Sequence, residues 1–134
     1  MGKTTTIAII DDDKIYHVLT RRIIESSNVA DKILEFYDGQ EALVYMLENQ
    51  NSPENLPDLI FLDIQMPFVD GWQFLDQYVN LEMPKPITVY IVSSSISSLD
   101  HDKSRQYKVI KNFLIKPFNR DKVLDVLNEF KIHP

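Results

Sequence analysis

The sequence predicts an α/β fold, a doubly wound five-stranded parallel sheet flanked by five helices. Three observations carry that prediction. Short apolar runs such as IAII, LIFL and ITVYIV lack the in-and-out alternation of a half-exposed strand, as strands covered on both faces do. Longer stretches with apolar residues at helical spacing separate these runs. The two kinds of segment alternate from one end of the chain to the other, which is the pattern of parallel sheets covered by helices.

Residues 6–10 read as a buried strand, and 13–26 as a helix with Asp13 near its N-terminus and Tyr16, Leu19 and Ile23 on its inward stripe. A second strand over 32–36 precedes a helix over 39–48 that carries Ala42, Leu43, Met46 and Leu47 on one side. The polar, proline-bearing loop 49–57 is long and leads to a third strand at 59–62. A turn through Pro67 and Gly71 opens a helix over roughly 72–81, which stops before the breaker MPKP. The fourth strand spans 87–92, and a helix is expected to start near Ser98. The fifth strand spans 112–115 and ends at Lys116-Pro117. A last helix over 119–131 turns Val123, Val126, Leu127 and Phe130 inward.

With 134 residues and 44% hydrophobic content, the chain is read as a single domain over 1–134, with no further output domain. A net charge of −6, with 14 Lys+Arg against 20 Asp+Glu and no basic run, argues against direct nucleic-acid binding. The absence of cysteine excludes disulfides and thiolate metal sites. No apolar leader and no 18-residue apolar span are present, so the expectation is a cytoplasmic protein without membrane insertion. GKTT at 2–5 resembles the tail of a phosphate-binding loop but lacks its upstream glycine and strand.

In an open α/β sheet, ligands sit beyond the carboxyl ends of the strands. The residues there are Asp11 and Asp12, Asp63, Ser93 and Ser94, and Lys116. Three carboxylates gathered within about 5 Å would repel by roughly 3 kcal/mol per pair at an effective dielectric near 20. Lys116 offsets one charge. An all-oxygen donor set selects a hard divalent cation such as Mg²⁺, which keeps open positions for phosphate oxygens. Asp63 stands alone at its strand end, opposite the paired aspartates, and is the candidate nucleophile for phosphoryl transfer.

Four segments, in order and at compatible spacing, carry a resemblance: the acidic pair in IIDDDK, the DLIFLDIQMPFVDGW block, the hydroxyl in YIVSSS, and FLIKPF. Over nearly its whole length the chain resembles a response-regulator receiver domain of the single-domain, chemotaxis-type class, with a flavodoxin-like sheet. The resemblance implies that Asp63 accepts a phosphoryl group from a phosphohistidine on a histidine kinase or a histidine phosphotransfer protein. It implies a phosphoacceptor switch rather than an enzyme. Asp12 would ligate Mg²⁺ directly, Asp11 mainly through water, and Gln65 through its backbone carbonyl, with Asp63 completing the metal set. Lys116 would pair with the phosphoryl group, across a cis bond to Pro117. Ser93 would follow the phosphate and Phe113 would act as the aromatic switch, altering the surface of the fourth helix, fifth strand and fifth helix toward a downstream target.

Departures from that family's commonest pattern are Ser93 in place of threonine, Phe113 in place of tyrosine, and Phe68 in place of a small residue. Two other readings compete. Asp11 and Asp13 fit the D-x-D spacing of a Mg²⁺-dependent haloacid-dehalogenase-type phosphatase, and a pseudo-receiver would bind partners without phosphorylation. Asp13 is read as a helix N-terminal residue and Asp70 as a turn former; Ser94 and Ser95 are read as loop residues. Trp72 is read as a packing residue, and His17, His101 and His133 as surface histidines. Ile15 and Val18 are core candidates by default; the alternative is a docking patch for the helical phosphodonor.

Overall fold

The structure is a computed structural model, and it describes residues 5–132. Five strands form one parallel sheet: β1 (Thr6–Ile10), β2 (Lys32–Phe36), β3 (Leu59–Asp63), β4 (Thr88–Ser93) and β5 (Ile110–Ile115). Their spatial order is β2-β1-β3-β4-β5. The helices are α1 (Lys14–Ser27), α2 (Gly39–Glu48), α3 (Gly71–Tyr78), α4 (Ser98–Ser104) and α5 (Arg120–Ile132).

β1 and β3 lie inside the sheet and are buried along their whole length. Alternate side chains serve opposite faces. Ile7, Ile9, Leu59 and Phe61 pack with Tyr16 and Ile24 of α1 and with Val123, Val126, Leu127 and Phe130 of α5. Ala8, Ile10, Ile60 and Leu62 pack on the other face with Leu43 and Met46 of α2 and Phe74 and Leu75 of α3. Each residue of these strands therefore has apolar neighbours whichever way it points. That is why their sequences run IAII and LIFL without a polar break.

β4, α1 and α5 each lie one residue later than expected, and four larger details of the elements differ from the sequence reading. The inner face of α1 is Tyr16, His17, Thr20 and Ile24, while Leu19 and Ile23 are half-buried. A stripe chosen by apolarity alone misses this face, because two of its members are polar. Leu47 is exposed, since α2 buries only the row formed by Gly39, Ala42, Leu43 and Met46. α3 begins at Gly71 and ends at Tyr78, and 79–81 form a turn. β5 starts two residues earlier than expected, at Ile110, where it pairs with Val89 just before a register shift.

The 49–57 loop has a structural account. It contains a 3-10 turn at Pro53–Asn55, and Leu56 just after it is fully buried. The Tyr45 hydroxyl donates to the Asn55 carbonyl at 2.7 Å, and the Asn55 side-chain Nδ2–H donates to Asn49 Oδ1 at 3.1 Å. Satisfying the loop's polar groups internally lets Leu56 enter the core without stranding backbone groups.

Among the described residues, no helix is long and apolar enough to cross a membrane. His133 lies outside the described residues, as do Gly2, Lys3 and Thr4 of the GKTT stretch.

Candidate functional site

β1 pairs with β2 on one side and β3 on the other, so the chain reverses its direction of winding at β1. A crevice opens there beyond the strand ends. Asp11 follows β1, Asp63 ends β3, Ser93 ends β4, and Lys116 follows β5. One carboxylate oxygen from each of Asp11, Asp12 and Asp63 falls within a 4.8 Å group.

Asp11 and Asp63 are buried, whereas Asp12 is exposed. Asp11 Oδ1 accepts from the Asp13 amide at 2.8 Å and from Lys116 Nζ at 3.1 Å. Its Oδ2 is buried and finds no hydrogen-bond partner among the described residues. Asp63 Oδ1 accepts from the Gln65 amide at 2.9 Å, and Oδ2 lies 3.6 Å from Lys116 Nζ. One ammonium thus faces several carboxylates, and the imbalance bears on how tightly the site holds protons. Burial, followed by the charge of Asp11, pushes the Asp63 carboxyl up to about 7. Burial likewise raises Asp11. For Lys116, burial favours the neutral amine, but the charges of Asp11 and Asp63 outweigh it and the net direction is upward.

Backbone geometry fixes these positions. The Lys116 amide donates to the Ser93 carbonyl at 2.8 Å, tying the ends of β4 and β5 together. The Lys116–Pro117 peptide is cis. Gly71 opens α3 directly beneath the site. A β-carbon there would stand 2.6 Å from the Asp63 carbonyl oxygen, so only glycine lets the helix start this close. Asp70 caps α3 through a reciprocal pair with Gln73, as a turn former should.

The remaining predicted residues are arranged around this centre. The Ser93 hydroxyl is buried and donates to the Ser95 carbonyl at 2.8 Å. Phe113 is half-buried on β5 and meets His101 of α4 edge-on at 4.7 Å. Ser94 donates to the Gln65 side chain at 3.1 Å. Phe68 is 95% exposed and sits at φ 65, a left-handed conformation uncommon for an aromatic residue. Ile15 is 71% exposed and Val18 is exposed as well, which overturns the core reading for both.

His17 is the clearest miss. It is buried, not a surface residue: its Nε2–H donates to the Asp11 carbonyl at 2.8 Å, and Nδ1 lies 3.3 Å from Glu35 Oε1. Arg21 donates to the same Glu35 at 2.8 Å, and Tyr37 stacks on the imidazole. The hint in the sequence was Glu35 set between Leu34 and Phe36 in β2. His101 is exposed, and Trp72 is a packing residue, stacked on Tyr107.

A twisted parallel sheet with acidic, hydroxyl and ammonium groups gathered at one edge defines a class, the two-component receivers. The chain belongs to the response regulator receiver domain family, whose description matches residues 7–128. It is 29% identical over 93% of its length to the probable methanogenesis regulatory protein FilR2 of Methanothrix harundinacea, covering 80% of that protein. It is 28% identical to the chemotaxis protein CheY of Listeria monocytogenes, covering 92% of this chain and 95% of that one. Among solved structures, a two-component response regulator from Cytophaga hutchinsonii superposes with a TM-score of 0.82 at 24% identity, over 99% of this chain and 100% of the other. Vibrio cholerae CheY4 superposes with a TM-score of 0.76 at 20% identity, covering 95% and 98%.

Proposed function

We propose that this receiver domain takes a phosphoryl group from a protein phosphohistidine onto Asp63, in the presence of Mg²⁺, and thereby changes its surface for a protein partner or for onward phosphotransfer. The observation that carries the reading is the 4.8 Å group of Asp11, Asp12 and Asp63 oxygens with Lys116 Nζ 3.6 Å from Asp63.

The residues fit a hard divalent ion. The donors are all oxygen, the carboxylates outnumber the ammonium, and Asp11 Oδ2 is a buried acceptor without a donor. Asp11, Asp12, Asp63 and the Gln65 carbonyl would hold it. When bound, the ion supplies positive charge to the oxygens of the transferring group. Asp63 in its carboxylate form attacks phosphorus, forming an O–P bond as the P–N bond to the donor imidazole breaks. The bonding pair leaves with that nitrogen, and a donor imidazole protonated on its other ring nitrogen is released neutral. Lys116 faces the charge on the phosphoryl oxygens.

Ser93 would have to release the Ser95 carbonyl to follow those oxygens, and Phe113 would leave His101. This is the route from Asp63 to the α4–β5–α5 surface. The phosphodonor would dock beside the site, where Ile15 lines a groove of about 330 Å³ with Tyr16, Leu19, Pro117 and Phe118, and Val18 is exposed on the same helix. The D-x-D phosphatase reading is disfavoured because Asp13 Oδ1 is engaged as the helix cap. The test is intact mass after incubation with acetyl phosphate and Mg²⁺. One phosphoryl adduct is expected in the wild type and none in Asp63→Asn; steady turnover of phosphate esters would support the phosphatase.

A further inference from the structure

Lys116 is restrained by more than its acidic partners at the strand ends. Two further groups come from the start of α1. Asp13 Oδ2 lies 3.8 Å from Lys116 Nζ, and the Tyr16 ring centroid lies 5.1 Å from it. Asp13 divides its carboxylate between two tasks. Oδ1 accepts from the Ile15 and Tyr16 amides at 3.0 and 3.2 Å and caps the helix, which leaves Oδ2 to face the ammonium.

Tyr16 is itself immobilised. It is buried against the sheet and meets Phe118 edge-on at 6.0 Å. An aromatic face attracts an ammonium most strongly where water is thin, and the Lys116 side chain is only 17% exposed.

These contacts matter because a lysine is a point charge on a flexible four-carbon stem. In the structure its shortest ion pair is with Asp11, a residue of the proposed metal set. Charge that Asp11 directs to a cation is withdrawn from Lys116. Asp13 and Tyr16 lie outside that set, so their hold on the ammonium persists.

We propose that Asp13 and Tyr16 are positioning residues for Lys116, keeping its ammonium beside Asp63 for the transferring phosphoryl group. The proposal deepens the phosphoacceptor reading and rests on it. Tyr16 acts through its ring and Asp13 through its second oxygen; neither touches the reacting atoms.

The test uses Tyr16→Leu, Tyr16→Phe and Asp13→Asn in the full chain. Three quantities are read: the thermal midpoint, the NMR shift of the Lys116 ε-methylene protons without metal, and the rate of phosphorylation by acetyl phosphate with Mg²⁺. Tyr16→Leu is expected to slow phosphorylation about tenfold, equivalent to ~1.4 kcal/mol, and to move the ε-protons downfield as the ring current is lost. Tyr16→Phe keeps the ring and restores both. Asp13→Asn keeps the cap, so the midpoint holds while the rate falls about threefold.

An unchanged rate and proton shift in Tyr16→Leu would overturn the proposal, and so would equal slowing in Tyr16→Leu and Tyr16→Phe. If Tyr16→Leu does not fold, a wild-type rate in Asp13→Asn overturns the part played by Asp13, and a slowed Tyr16→Phe overturns the part played by the ring. A wild-type chain that gives no adduct overturns the phosphoacceptor reading and this proposal with it. An adduct in the wild type with unaffected variants overturns this proposal alone.

Discussion

Lys116 Nζ stands 3.6 Å from Asp63 Oδ2, although 53 positions separate the two residues in the chain (116 − 63). Burial of Asp63 and the nearby charge of Asp11 leave the Asp63 carboxyl undersupplied with positive charge, at about 7 in place of its ordinary 3.8.

That shift makes metal-free stability depend on pH. The folded protein holds the Asp63 proton more tightly than the unfolded chain, so Asp63's contribution is fully present below about pH 4 and is lost as pH rises through about 7. At about 1.4 kcal/mol per pKa unit, the change amounts to a few kcal/mol. Asp63→Asn removes it. Urea unfolding of both proteins with EDTA at pH 5 and pH 8 should show the variant gaining relative to wild type at pH 8 and the difference narrowing at pH 5.

Binding of Mg²⁺ to the folded state alone should stabilise it by about 2.7 kcal/mol at a hundredfold excess over the dissociation constant. Asp12 is exposed and outside the core, so Asp12→Ala should leave the metal-free midpoint within about 0.5 kcal/mol of wild type. The Mg²⁺-dependent rise should be largely lost. Differential scanning fluorimetry across a Mg²⁺ titration reads both quantities.

Gly71→Ala should be costly despite its size. The added carbon meets the Asp63 carbonyl at 2.6 Å and the Ile64 α-carbon at 2.7 Å, both backbone atoms that cannot rotate away. A loss of about 1–3 kcal/mol is expected, together with weaker Mg²⁺ binding because Asp63 shifts. Denaturant melts with and without Mg²⁺ measure the two effects separately.

Trp72, the single tryptophan, reports on α4. Its Nε1–H donates to Asp100 of α4 at 3.3 Å, Lys103 lies 5.4 Å over the ring, and Tyr107 stacks on it. The residues of α4 are all exposed or half-buried, so these contacts, with His101 on Phe113, are a large part of what seats the helix. Phosphorylation that draws Phe113 away from His101 should change Trp72 emission. Phe113→Ala should weaken the link between that change and the phosphorylated fraction, measured by fluorescence alongside mass.

The sequence was most informative where local rules and packing agree. β2 and α2 occupy the expected 32–36 and 39–48, because Asp38 caps α2 and strand-favouring residues precede it. The strand-end residues Asp11, Asp63, Ser93 and Lys116 were legible for the same reason: a doubly wound sheet sends every strand's C-terminal end to one edge. The inner face of α1 was not legible. His17 is buried because Asp11 and Glu35 supply its polar partners, and those contacts arise only after β1, α1 and β2 assemble. The seat of Lys116 against Tyr16 was hidden likewise, since it joins residues 100 positions apart (116 − 16).

The most direct measurement is the location of the phosphoryl group. Wild-type protein is incubated with acetyl phosphate, with Mg²⁺ or with EDTA, and the adduct is mapped by peptide mass spectrometry at acidic pH, where an acyl phosphate survives. The account predicts a single Mg²⁺-dependent adduct on the peptide containing Asp63. An adduct on Asp11, Asp12 or a serine, or one that forms equally well in EDTA, would contradict it.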